Sequence, residues 1–221
     1  MRRCLNSLGE NTAVRERRSH WHYLTPFPGK KEMPFWNDGH SGRGITANMI
    51  VSFEEMLEKA KHGEPMVLAG AAAQDADTIK AMAAAEKAGM IRPVLVGDLS
   101  VIRRVMQEEN ITFCNARLVQ AADMAEACDK AVELVRLGEA DFLMKGLVDT
   151  NIFLKAILNK ETGLPVHGLL SHVMTFDTMG AYHKLMITSD GGMVLYPTLE
   201  QKIDIIKNCL PVAKALEIEE P

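Results

Sequence analysis

From Met49 onward the chain alternates between two kinds of segment. Short, mostly apolar runs, Met66–Ala69, Pro93–Val96, Arg117–Gln120 and Phe142–Met144, predict strands. Between them lie longer stretches in which apolar residues recur every three or four positions, the spacing of one helix face. The first predicted helix starts at Ser52, with Glu55 placed to complete a capping box, and Phe53, Met56, Leu57 and Ala60 form its apolar side up to Gly63. The second opens at Asp75 or Asp77 and runs through Lys87 to a stop at Gly89. A third spans about Ser100 to Glu109, a fourth Asp123–Leu137 before Gly138, and a fifth Asn151–Asn159. Strands and helices alternating through short connections predict a parallel sheet with helices on both faces. Fully covered strands are apolar on both sides, as Met66-Val67-Leu68 and Val94-Leu95-Val96 are.

Past Gly146 the rhythm changes. After a loop around Gly163-Leu164-Pro165 come two apolar runs, Leu169–Phe176 and Lys184–Thr188. The link between them is too short for a helix, which predicts a hairpin or a neighbouring pair of strands in a mixed sheet. A last amphipathic helix, Leu199–Leu216, contains Pro211 and is expected to kink or break there.

Composition divides the chain at the same point. Eight basic residues face four acidic ones before Met49, so the remainder carries −8 of a whole-chain charge of −4. Both tryptophans, Trp21 and Trp36, also precede Met49. Residues 1–48 show no sustained period and many prolines and glycines, which predicts a poorly ordered extension or translated sequence upstream of a start at Met49. His20, His22 and His40 lie there without a scaffold to make a metal site, and none is expected. The acidic balance argues against nucleic acid as the main partner, and no apolar run reaches the roughly 18 residues of a membrane span. Four scattered cysteines, Cys4, Cys114, Cys128 and Cys209, form no CxxC and suggest a reducing, cytoplasmic compartment.

Candidate chemistry concentrates between Asp141 and Pro197. Strands that end in glycine and short polar residues are where open α/β sheets place ligands. In Lys145-Gly146-Leu147-Val148-Asp149-Thr150, Gly146 would let the backbone approach a ligand. Thr150 would cap the next helix, whose N-terminus favours a phosphate, and Lys145 would add a mobile cation. The charge of Asp149 opposes an anion, and a capped helix beside a solvated lysine accounts for the same residues. Ser171 and His172 sit inside an apolar run, where a histidine is more often a hydrogen-bonded core residue than a catalyst. Asp190, ahead of Gly191 and Gly192, is either an Asx turn or a carboxylate aimed into a cleft. Gly70-Ala71-Ala72-Ala73 lacks the later glycines of GxGxxG and reads as a plain strand–helix connection. No Walker A, HExxH or GxSxG sequence is present.

Taken together, several motifs resemble the phosphate acetyltransferase and phosphate butyryltransferase family, the butyryl branch more closely. They are Met144-Lys145-Gly146-Leu147-Val148 with Thr150, Leu158-Asn159-Lys160-Glu161 with Gly163-Leu164, Leu170-Ser171-His172-Val173, then Thr188, Asp190, Pro197 and Leu199-Glu200-Gln201-Lys202. The resemblance runs from Met49 to Pro221 and covers the N-terminal half of the family's polypeptide. It implies a parallel α/β/α sandwich of the isocitrate/isopropylmalate dehydrogenase-like type over residues 49–146, then the start of a second α/β domain over 147–221, truncated at its C-terminus. It implies exchange of a short acyl group, acyl-CoA + phosphate = acyl phosphate + CoA, with coenzyme A as substrate, no tightly bound cofactor and no metal. Acyl-CoA or acyl phosphate and inorganic phosphate are the implied partners, and a homo-oligomer is expected.

The site positions that match are Lys145, Gly146, Thr150, Ser171, His172 and Asp190, with the catalytic base expected beyond Pro221. Gly146 and Thr150 would position phosphoryl oxygens, Ser171 would donate to phosphate and Asp190 would hold the cleft loop. Three positions depart from the butyryl pattern: Asp149 where His or Asn is usual, Pro165 where Arg is usual, and Val194 where Asn is common. The alternatives are the acetyl reaction, or a catalytically incomplete piece that only self-associates through open sheet edges. A dehydrogenase of the isocitrate/isopropylmalate type would need a carboxylate metal cluster and a nucleotide loop, and the sequence has neither.

Overall fold

A computed structural model describes residues 49–164, 168–178 and 184–218. The expected extension before Met49, Pro165 and most of the link between the two late apolar runs lie outside the described residues. Elements follow in chain order: α1 (Phe53–Lys61), β1 (Met66–Ala71), α2 (Ala76–Lys87), β2 (Ile91–Gly97), α3 (Leu99–Glu108), β3 (Arg117–Gln120), α4 (Met124–Arg136), β4 (Phe142–Lys145), α5 (Thr150–Ile157), β5 (Met174–Phe176), β6 (Met186–Thr188) and α6 (Leu199–Ala215). The described residues group into two compact units, 59–164 in one and 49–58 with 168–178 and 184–218 in the other.

In the first unit four parallel strands lie in the order β3-β2-β1-β4. The two inner strands are buried along most of their length, as continuous apolar runs require. Alternate side chains point to opposite faces of a strand, and the core divides accordingly. Leu68, Ile91 and Leu95 pack with Ile79 and Met82 of α2 and Ile102 of α3. Ala69, Ala71, Val94 and Val96 pack with Ala127, Cys128, Ala131 and Val132 of α4 and Ala156 of α5. The small residues on this second face let helices sit close to the sheet. This is the α/β architecture that the alternating pattern predicts. Its helices are capped by Asp75, Asp98 and Asp123, each accepting from an amide of the first turn. Of the two candidate starts for α2, Asp75 is the cap.

In the second unit β5 and β6 form an antiparallel pair, Met174 opposite Thr188. Thr198 and Gln201 cap α6 reciprocally. At its far end Leu216 packs with Ile50 and Leu185, flanked by Phe53, Met56 and Val212. The amide of Ile50 donates to the Leu216 carbonyl at 3.0 Å. The expected break at Pro211 does not occur: α6 is continuous through it. Burial of Ala213 and Leu216 anchors the turn beyond the proline and offsets the donor it lacks. Ser52 caps α1 by accepting from Glu55 N at 3.2 Å, while the Glu55 carboxylate accepts from Val51 N at 2.8 Å, one residue earlier than a capping box places it.

Candidate functional site

The strand order fixes where the first unit can hold a ligand. From β1 the chain steps outward through β2 to β3, then returns to place β4 on the other side of β1. The order reverses between β1 and β4, and ligands of open α/β sheets bind outside the carboxyl ends of strands at such a point. Ala71 and Lys145 are register partners there, so the turn after β1 and the loop after β4 lie side by side.

The loop Lys145–Thr150 is closely tied. Gly146 N donates to Ala71 O at 2.8 Å and Val148 N to Gly146 O at 3.0 Å. A Cβ on Gly146 would strike the carbonyl oxygen of Ala72 and come within 2.8 Å of its carbon and 2.9 Å of Ala71 O. Glycine is therefore required by the packing of two backbones, whatever ligand also approaches. Ala72 itself has φ +53°, a left-handed conformation uncommon for alanine. The Lys145 ammonium, expected as a mobile cation, donates to Val148 O at 2.6 Å and Gly146 O at 3.4 Å.

Thr150 does not cap α5. Asp149 does, its carboxylate accepting from Asn151 N at 2.7 Å, while Thr150 is already helical. The acid that sequence reasoning saw as opposing an anion thus occupies part of the helix terminus. Among the bonds described, the donors left over are the amides of Asp149, Thr150 and Ile152 and the Thr150 hydroxyl.

The second unit carries the other three candidates. Ser171 and His172 precede β5 instead of lying within a strand. Asn208 of α6 donates through Nδ2 to Ser171 Oγ at 2.8 Å and to Leu169 O at 2.9 Å. Ser171 Oγ accepts in that bond, which leaves its own O–H to donate elsewhere. His172 is exposed, so the core-histidine reading fails. Of the apolar run Leu169–Phe176, only Met174–Phe176 forms a strand.

Asp190 closes its own loop. Its carboxylate accepts from Gly192 N and Met193 N at 3.2 Å, Val194 N at 2.8 Å and His172 N at 3.3 Å. Desolvation pushes this carboxyl up, but the amides, Met193 first, together hold it below the ordinary carboxylate value. The arrangement is an Asx-type turn, and Val194 contributes its backbone amide where an asparagine side chain is common. Ser189 Oγ also donates to His172 O at 2.7 Å, so the two segments are cross-tied. A cavity of about 410 Å³ beside the turn is lined by Asp190, Val194, Leu195, Lys202, Ile205 and Ile206.

Lys145, Gly146 and Thr150 thus belong to one compact unit and Ser171, His172 and Asp190 to the other. Two participants escaped sequence reading. Asn208 sits in a helix 37 residues from Ser171 with no motif to mark it. Asp75 was read only as a cap, yet its second oxygen accepts from Leu147 N at 3.1 Å. Burial pushes the Cys128 thiol up, which makes it a poor nucleophile. Among the described residues no group of three metal-ligating side chains gathers, and no helix is long and apolar enough to cross a membrane.

A parallel sheet with a glycine-tied loop at its topological switch point defines an α/β fold with a candidate ligand site there. Residues 122–221 match the model of one family, described as phosphate acetyl/butaryl transferase. The chain is 39% identical over 173 residues to a phosphate butyryltransferase of Clostridium acetobutylicum, a match covering 78% of this chain and 57% of that protein. It is 35% identical over 169 residues to a phosphate acetyltransferase of Thermotoga maritima, covering 76% and 57%. In structure it is similar to a branched-chain phosphotransacylase from Enterococcus faecalis, with TM-score 0.55 and 25% identity over 67% of this chain and 51% of that one. A phosphotransacetylase from Streptococcus pyogenes shares the fold, with TM-score 0.62 and 16% identity over 74% and 58%. The chain belongs to the phosphate acetyl/butyryltransferase family, and it spans little more than half the length of the curated relatives it matches.

Proposed function

We propose that this chain takes part in acyl exchange between coenzyme A and inorganic phosphate, with butyryl or a similar short group as the acyl part. The observation that carries the reading is the placement of the Lys145–Thr150 loop at the switch point between β1 and β4, in a chain of this family. The butyryl preference follows the higher identity to the Clostridium acetobutylicum relative. Gly146 and Thr150 position phosphoryl oxygens through backbone amides and a hydroxyl. Ser171, fixed by Asn208, donates its O–H to phosphate. Asp190 holds the 189–194 turn, and Lys145 and His172 complete the two sets. The coenzyme A thiolate attacks the acyl carbonyl, a C–S bond forms, and the bond from the acyl carbon to the bridging oxygen breaks, its electron pair leaving on that oxygen as phosphate. The thiol proton passes to a base outside these six residues. Orientation of the reactants and stabilisation of anionic oxygens supply the acceleration. Coenzyme A is a substrate here, with no tightly held cofactor, in the cytoplasm.

The test is thioester formation from butyryl phosphate and coenzyme A, followed by absorbance, alongside calorimetric titration with coenzyme A. Butyryl phosphate is expected to outperform acetyl phosphate. No thioester with either, and no coenzyme A binding, refutes the proposal.

A second reading, assembly with copies of itself, is favoured by α6. Leu199, Ile203, Ile206 and Leu210 are all exposed, at the 4-3-4 spacing of a helix seam. Sedimentation that stays monomeric across concentrations excludes it.

A further inference from the structure

The loop after β4 carries three of the proposed site residues, and one acid outside it decides where it sits. Asp75 stands at the end of the turn after β1 and uses its two carboxylate oxygens separately. Oδ1 accepts from Thr78 N at 2.9 Å and caps α2. Oδ2 accepts from Leu147 N at 3.1 Å, across 72 residues of sequence. The other ties of the loop are of a different kind. The Lys145 ammonium, the Val148 amide and Asp149 all bond within the loop or to its own helix, and so fix its shape but not its position. Only the Gly146 amide, on Ala71 O, and the Leu147 amide, on Asp75, reach the neighbouring turn among the bonds described. The Gly146 bond continues the β1–β4 ladder. The Asp75 bond is the one made past the end of the strand, where the loop departs toward Thr150.

We propose that Asp75 is a positioning residue: it sets the Gly146–Thr150 loop against the turn after β1 and thereby places the donors that meet phosphate. A carboxylate suits the task because each oxygen can accept from a different amide. The helix cap holds the side chain in place, so the second oxygen is aimed at Leu147 at little further cost in side-chain freedom. The assignment rests on the acyl-transfer reading of this loop.

The test separates the bridge from the cap. Asp75→Ser keeps a good helix cap but has one short oxygen and loses the bridge. Asp75→Asn keeps one acceptor oxygen and turns the other into a donor facing Leu147 N–H. Asp98→Ser is the control, since the Asp98 carboxylate caps α3 through Ser100 N and Val101 N and reaches no other loop among the bonds described. Amide exchange is read by NMR on the whole 221-residue chain, which is then titrated with inorganic phosphate.

Both Asp75 variants are expected to exchange the Leu147 amide about tenfold faster or more, the loss of a charge-assisted bond. They are also expected to need several times more phosphate to shift the 146–150 amides. Asp98→Ser is expected to change neither. Unchanged Leu147 exchange in both Asp75 variants overturns the bridge whatever the protein's function. A faster-exchanging loop with unaltered phosphate response overturns the positioning role. A wild-type chain whose loop never responds to phosphate removes the functional reading on which the role depends.

Discussion

Substituting Gly146 by Ala is the sharpest test of how the two turns are joined. The added methyl would meet the Ala72 carbonyl oxygen, with the Ala72 carbon at 2.8 Å and Ala71 O at 2.9 Å. All three atoms are backbone, in a strand end buried on both faces, so no side chain can swing away to make room. Relief requires β4 to move off β1, which also stretches the 2.8 Å bond from Gly146 N to Ala71 O. Overpacking of this kind costs about 1–3 kcal/mol, and a weakened hydrogen bond adds about 1 kcal/mol. With a urea m-value of about 2 kcal/mol/M, the expected total of about 2–4 kcal/mol lowers the unfolding midpoint by about 1–2 M. Gly70→Ala is the matched control. Its methyl would meet Met82 Sδ at 2.8 Å and Cε at 3.1 Å, the far end of a flexible side chain, and Ala73 Cβ at 3.0 Å, but no backbone atom, so the shift should be smaller. A Gly146→Ala midpoint within about 0.3 M of wild type, or a larger loss in Gly70→Ala, would show that the two turns are not locked together as described.

Further outcomes follow from the second unit and from charge. Asn208→Leu removes the donor to both Leu169 O and Ser171 Oγ; it should cost about 1–2 kcal/mol in urea unfolding and raise the KM for phosphate while kcat changes little. If instead Asn208→Leu leaves phosphate KM unchanged, Ser171 is not a phosphate donor. Pro211→Ala restores an amide inside continuous α6 and should raise stability by about 1–3 kcal/mol, checked by the same denaturation. A loss of stability there would mean that packing of the proline ring outweighs the missing donor. Asp75 and Asp190 are held below the ordinary value of 3.8, so their contribution is complete above that pH and is lost as pH falls through the lower folded-state values. For Asp75 desolvation opposes the shift, while the Thr78 side chain first, then the Thr78 and Leu147 amides, drive it. Unfolding midpoints should therefore show no dependence on these two groups between about pH 5 and 7, with a decline below about pH 4 that Asp75→Asn and Asp190→Asn flatten.

What the sequence revealed and what it hid divide along physical lines. The four strands and the helices around them were legible because each is encoded locally, by a run of apolar residues, a period, and an aspartate or glycine at the ends. The strand order was not, because nothing in Phe142–Lys145 says that it pairs with β1 and not β3. That pairing creates the switch point and so creates the candidate site. The site residues show the same split. Asp190 was read as a turn or a cleft acid, and the turn prevails because Gly192, Met193 and Val194 lie within four residues of its carboxylate. Thr150 was taken for the cap because threonine is a common one, yet the preceding Asp149 starts the helix one residue earlier, with its carboxylate on the Asn151 amide. The short range of sequence patterns explains the errors over Asn208 and Asp75 more fully. Each side chain bonds a segment tens of residues away, and both look ordinary where they stand, one a polar position on a helix and the other a helix cap. A side chain that serves two distant amides carries no local signature of the second. Such bridges decide where the loops sit, so in this chain the residues that aim the candidate site are less visible than the residues that form it.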